Sequence, residues 1–265
     1  MTRPDTTVKG AIINSTGNET GVTVNGIVAT VYVNQFTANH VLLVDGVNTI
    51  TIKAIDTAGN TATTSITVNT VTTSNYIRMT SNIDSGIAPL EVTLRIDGSF
   101  SITESNLNIT GPVQPEIISS SPDEYTVRMV IEGIYYFTAS VTGPDGNTYQ
   151  DTVAITVMNK TEMDKLLKAK WQGMNTALSN QDIEKASTYY SEETKEIYND
   201  LFNALYAYLP QIAQEMQEIQ LIYLKNNTAK YRMRQNELYG GQTITLTYYI
   251  YFVIDKDGSW KIYRY

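Results

Sequence analysis

The sequence has 265 residues, 19 basic and 27 acidic side chains for a formal net charge of −8, no cysteine and one histidine, His40. Without thiols there are no disulfides, thiolate metal sites or cysteine nucleophiles, and one histidine leaves no room for a multi-histidine metal centre and little for a histidine-paired triad. An acidic chain with few clustered bases argues against nucleic acid as a partner, and no apolar run of ~18 residues is present to form a membrane-spanning helix.

Charge divides the chain into three segments. Residues 1–72 hold 3 basic and 4 acidic side chains, residues 73–158 hold 3 and 10, and residues 159–265 hold 13 of each together with 13 of the 19 tyrosines and both tryptophans. Charged residues make up only 17%, below the usual ~25%, and Thr, Ser and Asn take their place, as suits extracellular β modules. The opening Met1-Thr-Arg-Pro-Asp-Thr-Thr has no hydrophobic signal region. The expectation is therefore a fragment of a longer exported chain, located outside the cell or in its envelope.

The first segment alternates with period two. Val22-Thr23-Val24 leads through Asn25-Gly26 into Ile27–Val33, and Asn-Gly between alternating apolar runs predicts a hairpin because both residues accept positive φ. His40–Val44, Asp45-Gly46 and Asn48–Ile55 predict a second hairpin, and Thr61–Val68 a further strand after Asp56-Thr57-Ala58-Gly59-Asn60. Turn signals every 8–12 residues indicate a β-sandwich over residues 1–70. Val24-Asn25-Gly26, Phe36, Leu43, Gly46–Ile50, Ala54-Ile55-Asp56 and Ala58-Gly59-Asn60 resemble bacterial immunoglobulin-like domains, a resemblance that implies a fold and no activity.

The second segment, residues 74–158, repeats the ending of the first. Asp56–Asn60 leads to Ser65–Val68 as Pro144–Asn147 leads to Ala154–Val157, and the two-residue difference in spacing keeps the same side chains inward. Gly86–Val92 and Glu132–Thr142 resemble the first and late strands of polycystic-kidney-disease-type domains. The family's central aromatic-Asp-Phe-Gly-Asp-Gly stretch is replaced by Ile117–Arg128. The resemblance implies a spacer or adhesion module. The linkers Val71–Ser74 and Met158–Lys160 are too short for long tethers, so an elongated chain with small interfaces is expected.

The third segment, residues 160–265, changes period to 3.6. Met163, Leu166, Leu167, Lys170, Trp171, Met174 and Leu178 share a helical face, and Thr161 with Asp164 predicts a capped start. Further helices are predicted over residues 181–190 and from 192 to about 208, with Pro210 restarting the last. Strands follow at 220–223, 228–234, 243–254 and 260–263. In the third of these, Ile244, Leu246, Tyr248, Ile250, Phe252 and Ile254 face one way, predicting a core of six large side chains. Helices followed by a curved antiparallel sheet make an α+β roll, so the whole chain reads as two all-β immunoglobulin-like sandwiches followed by that roll. Asp182–Ala186, Tyr189-Tyr190-Ser191 and the closing Ile254–Ile262 are similar to nuclear-transport-factor-2-like (cystatin-like roll) domains.

Enzymes of that superfamily place a carboxylate, often with His or Tyr, deep in the cone of the roll. Here the segment has no histidine, and the strand 243–254 has no carboxylate. No catalytic residue is assigned. Tyr231, Arg232, Arg234, Tyr249 and Tyr251 are candidates for a ligand site, set against a filled aromatic core or a dimer face. Asp56, with Asp5 or Asp45, is the candidate for calcium, set against ordinary turn chemistry. Asp255-Lys256-Asp257-Gly258 lacks the later ligands of a calcium loop and predicts a hairpin turn. The surplus acids of the middle segment read as a solvated face, and His40 as a surface or half-buried strand residue. Three functional readings compete: a non-enzymatic stalk with a binding or association domain, an extracellular small-molecule or sensory module with a Tyr/Arg-lined pocket, and an accessory region of a carbohydrate-active protein. Partners compatible with them are protein, polysaccharide, a small molecule or a second copy through the roll. No cofactor is expected apart from candidate calcium.

Overall fold

In a computed structural model, residues 3–15, 17–71 and 75–265 are described. The chain is mostly β and divides into two compact units, residues 1–159 with 257–259, and residues 160–256 with 260–265. The linker residues Thr72, Thr73 and Ser74 lie outside the described part.

The first unit contains fifteen strands among the described residues, in two pairs of facing sheets. The earlier pair comprises β1 (Asp5–Ala11), β2 (Thr20–Val24), β3 (Ile27–Val28), β4 (Thr30–Tyr32), β5 (Gln35–Leu42), β6 (Gly46–Asp56) and β7 (Thr61–Thr70), ordered β1-β5-β4 and β3-β2-β6-β7. Val8, Phe36, Ala38 and Val41 from one sheet meet Val22, Val24, Ile50 and Ile52 from the other in one buried core. Asn25 and Gly26 form the predicted turn with φ of 48° and 82°. The run Ile27–Val33 is not one strand: residues 27–28 pair with β2, and residues 30–32 cross to the other sheet and pair with β5. Asp45-Gly46 is likewise a crossover between sheets, because β5 pairs with β1 and β4 while β6 pairs with β2 and β7. The Asn48 carboxamide braces that crossover, accepting from the Val44 N–H and donating to its carbonyl, both at 2.8 Å.

The later pair comprises β8 (Ile77–Ser81), β9 (Ser85–Ile87), β10 (Leu90–Gly98), β11 (Asn106–Thr110), β12 (Glu116–Ser120), β13 (Glu124–Met129), β14 (Gly133–Thr142) and β15 (Thr148–Met158). One sheet runs β12-β13-β10-β8, and the other contains β11-β14-β15-β9. Met79, Val92, Leu94, Val127 and Met129 pack against Tyr135, Phe137, Val153, Ile155 and Val157, all fully buried or nearly so. The segment 117–128, where the sequence departs from its resemblance, forms the β12–β13 hairpin. The paired turn motifs both close hairpins, β6–β7 through Asp56–Asn60 and β14–β15 through Gly143–Asn147.

Within this unit the two sandwiches meet through polar contacts. Asn39 donates to the Ala154 carbonyl at 2.8 Å and accepts from its N–H at 2.9 Å, as a neighbouring strand would. Thr7 Oγ1 donates to the Thr152 carbonyl at 2.6 Å. Arg3 pairs with Asp151, and Arg78 Nε lies 2.7 Å from Asp5 Oδ2. His40 occupies a bulge of β5 at φ 55°, half-buried, its Nδ1 3.3 Å from the same Asp5 oxygen.

The second unit begins with α1 (Lys160–Ser179), α2 (Ile183–Ser187), α3 (Lys195–Ala204) and α4 (Leu209–Glu215), with a short 3₁₀ turn at Tyr206–Tyr208. Helix α1 already includes Lys160, so Thr161 lies inside its first turn rather than capping it. Its buried stripe is Leu167, Lys170, Trp171, Met174, Asn175, Ala177 and Leu178. Asp182 caps α2 by accepting from the Lys185 N–H at 3.0 Å, and Pro210 stands at the start of α4, where a missing N–H costs nothing. Four antiparallel strands follow: β16 (Gln220–Lys225), β17 (Thr228–Tyr239), β18 (Gln242–Ile254) and β19 (Trp260–Arg264), in chain order across the sheet.

Only part of the six-residue apolar face of β18 is core. Ile250 and Phe252 are fully buried, whereas Ile244 and Tyr248 are each 37% exposed. Both strands run on to a two-residue turn, Gly240-Gly241, with φ of 57° and 81°. The distal half of this hairpin therefore lies in solvent, with Leu238 and Tyr239 exposed.

Candidate functional site

The β17–β18 pairing decides which candidates can act together. Lys230 stands opposite Tyr251, Arg232 opposite Tyr249 and Arg234 opposite Thr247. Side chains opposite each other share a face, so Arg232, Arg234, Tyr249 and Tyr251 project from one side of the sheet. Tyr231 does not join them. It points to the other side, fully buried in edge-to-face contact with Phe252 at 5.4 Å between ring centroids. Burial, with the Asp164 carboxylate of α1 beside it, pushes its phenol far above the usual tyrosine range.

The inner side of the sheet is filled. Ala229, Tyr231, Met233, Ile250, Phe252, Trp260 and Ile262 are buried there. Met233 Sδ lies 3.2 Å from the Gln217 N–H, and the Trp171 indole donates to the Gln217 carbonyl at 3.2 Å. Beside α3 and the end of β19, Ile197, Tyr198, Leu201 and Tyr265 line a shallow surface hollow of about 410 Å³.

The outer side is cationic and aromatic. Register places Gln220, Tyr223 and Lys225 of β16 beside Arg232, Lys230 and Thr228 of β17, and Arg264 and Lys261 of β19 beside Tyr251 and Val253 of β18. The bulge between Tyr251 and Phe252 brings Arg264 onto this side. Lys230 Nζ sits 4.0 Å from the centre of the Tyr249 ring and 5.3 Å from that of Tyr251, with the Arg264 guanidinium 4.5 Å from the latter. Such cation–ring contacts contribute roughly 0.5–1 kcal/mol when exposed. Lys225 lies 5.9 Å from the Tyr223 ring, and Arg232 Nε donates to Gln220 Oε1 at 3.2 Å. A hydrogen bond with Tyr251 raises the Lys230 pKa, and the same contact, with Arg264, lowers that of Tyr251. Lys230, Lys225, Lys261, Tyr223 and Arg264 join the four residues above, and the β16–β19 positions on this side carry no carboxylate.

Asp56 serves its own turn. Its carboxylate accepts from the side chain and N–H of Asn60, both at 2.9 Å, and from the Ala58 N–H at 3.0 Å. The Asn60 side chain is the main cause that holds its pKa down at about 2. Asp5 is buried against Arg78 and His40. Among the described residues no three His, Cys, Asp or Glu side chains cluster as metal ligands would.

No family model matches the chain, and no curated protein matches it. Solved structures share a weak likeness. Extracellular cadherin domains 1–4 of protocadherin gamma B7 align at 15% identity and a TM-score of 0.24, over 52% of this chain and 40% of that one. The fibronectin(III)-like modules of Clostridium thermocellum CbhA align at 14% and 0.24, over 59% and 87%. A protein of a Bacteroides ovatus mixed-linkage glucan utilization locus, solved with a mixed-linkage heptasaccharide, aligns at 18% and 0.20, over 58% and 42%. The chain thus spans less than half of the first and third of these.

Proposed function

We propose that this chain is a non-enzymatic segment of an exported cell-envelope or secreted protein, in which the two sandwiches serve as a spacer and the helix-and-sheet unit, a divergent roll, is the binding part. The observation that carries the reading is the contrast between the two sides of the β16–β19 sheet. The inner side is packed with buried Tyr231, Ile250 and Phe252, while the outer side holds half-buried Lys230, Arg232 and Tyr251 and exposed Tyr249, all open to solvent in part. A packed interior favours surface recognition over an enclosed small-molecule site. The spacer role is supported by the polar junction, where Asn39, Thr7 and two ion pairs tie one sandwich to the backbone and side chains of the next. Protease treatment of intact source cells tests the reading. Loss of the protein, with cytosolic markers intact, is the expected result, and recovery solely from the protected cytosolic fraction overturns it.

A further inference from the structure

The outer face of the β16–β19 sheet differs in charge from the rest of the molecule. The chain as a whole carries −8, yet this face assembles Lys225, Lys230, Arg232, Arg234, Lys261 and Arg264 from β16, β17 and β19, around the tyrosines of β18, with no acidic residue among the strand positions on this side. Lys261 donates to the Thr188 carbonyl at 2.7 Å, and the other five are held by tyrosine rings, by Gln220 or by solvent. Like charges gathered on one face repel, and a partner of opposite sign removes that repulsion.

The geometry points to an acidic polysaccharide, a polymer of uronate-bearing sugars, laid across Tyr249 and Tyr251 with its carboxylates on Lys230, Arg232 and Arg264. This rests on the reading that the helix-and-sheet unit is the binding part. Three observations select this occupant. The face is an open sheet rather than a cleft, so it suits an extended polymer. Successive cations on β17 lie two residues apart, about 6.6–6.8 Å, and neighbouring strands about 4.8 Å apart. Long Lys and Arg side chains on that spacing can reach carboxylates carried at intervals along an extended sugar chain, whereas duplex DNA, with a charge per ≈ 1.7 Å, would also meet the chain's acidic remainder. Interleaved tyrosines offer ring faces to the apolar side of a sugar and hydroxyls to its rim. A symmetric dimer through this face would oppose cation to cation, so a second copy fits poorly.

The test uses the full 265-residue chain and isothermal titration with polygalacturonate, a neutral β-glucan, polyglutamate and duplex DNA. Polygalacturonate should bind in preference to the other three, and its affinity should fall about tenfold or more between about 50 and about 500 mM salt. The double variant Lys230→Glu/Arg232→Glu should weaken it at least about tenfold and Tyr249→Ala severalfold, with the fold retained and thermal melting lowered by no more than several degrees, because these side chains are half-buried or exposed and make only surface contacts. Lys53→Glu, exposed on the first sandwich, should leave it unchanged. Equal binding of polyglutamate or DNA overturns the choice of a polysaccharide. Binding of the neutral glucan alone, without salt dependence, overturns the acidic ligand and leaves the binding-part reading standing. Binding of none of the four overturns the inference. Cleavage of any of the four overturns the non-enzymatic reading itself.

Discussion

Replacing Phe252 by alanine probes where the core of the helix-and-sheet unit lies. Phe252 is fully buried, stands between Ala229 and Ile262 on the neighbouring strands, and meets the Tyr231 ring edge to face at 5.4 Å. Removing a buried phenylalanine ring typically costs 3–5 kcal/mol, the aromatic pair accounting for about 0.5–1.5 of that. Against a domain stability of about 5–15 kcal/mol, this is a large fraction. Both tryptophans, Trp171 and Trp260, are buried in this unit, so their fluorescence reports its unfolding without contribution from the sandwiches. At a urea slope of about 1.5 kcal/mol/M the midpoint should fall by about 2 M or more. Ile244→Ala is the matched comparison, since Ile244 shares the face of Phe252 but is 37% exposed; it should cost less than about 1.5 kcal/mol. Thr245→Ala, which removes an exposed bond to Asn236, should stay within about 0.5 kcal/mol. If Ile244→Ala proved as damaging as Phe252→Ala, the distal hairpin would be buried and the division of this strand into core and free halves would be wrong.

Other outcomes follow from the sandwiches. Asn39→Ala leaves the N–H and carbonyl of Ala154 without their 2.9 and 2.8 Å partners, so stability should fall by about 1–3 kcal/mol and the Ala154 amide should exchange faster; unchanged exchange would remove Asn39 from the junction. Burial pulls the Asp5 pKa up, but the His40 hydrogen bond and the Arg78 charge outweigh it and hold it below the usual value. A depressed folded-state pKa stabilises above the unfolded value of about 3.9 and the benefit is lost as pH falls through the folded one, so Asp5→Asn should flatten the acid limb of a pH–stability curve. Asp151 runs the other way: burial raises its pKa despite Arg3. Its ionised form is therefore less favoured in the fold, and Asp151→Asn should make that limb steeper; matching slopes for the two variants would contradict the assignment. Gly26→Val forces a β-branched residue to φ 82° and should cost at least about 1 kcal/mol by denaturant titration, a loss that Asn at the same position should largely avoid.

Much of the strand content was legible because local chemistry and tertiary demand agree at those places. Asn25-Gly26 turns where both residues need positive φ, and Asp56–Asn60 and Gly143–Asn147 close equivalent hairpins through the same Asx chemistry. The exchange of strands between sheets was not legible. Ile27–Val33 is an unbroken run of strand-forming residues, and nothing local marks the crossing after Val28, which follows from closing β4 onto β5. Asp45-Gly46 has the chemistry of a tight hairpin but serves a crossover, with Asn48 supplying the backbone partners a paired strand would have supplied. In the second unit, periodicity identifies the face of β18 but not how far the buried layer reaches along it, and the core stops short of Ile244 and Tyr248. The side occupied by Tyr231 follows from simple alternation with Lys230 and Arg232. The grouping of Lys230 with Tyr251 needed the register, and the Gly240-Gly241 turn encodes it: a two-residue turn there pairs Tyr239 with Gln242 and, counting back, Lys230 with Tyr251. The contribution of Arg264 was hidden, because a bulge opposite Tyr251 carries it to the outer side.

The way Asn39 and Thr7 meet β15 has a consequence for solubility. Strand β9 covers β15 only from Thr156 to Met158, so the stretch around Thr152 and Ala154 is an open sheet edge whose unpaired amides are a template for another chain. The Asn39 carboxamide and the Thr7 hydroxyl fill two of those positions with side chains that cannot propagate a ladder. The first sandwich thereby acts as a cap against edge-to-edge stacking of the second, a protection that shortening the chain from its N-terminal side would remove.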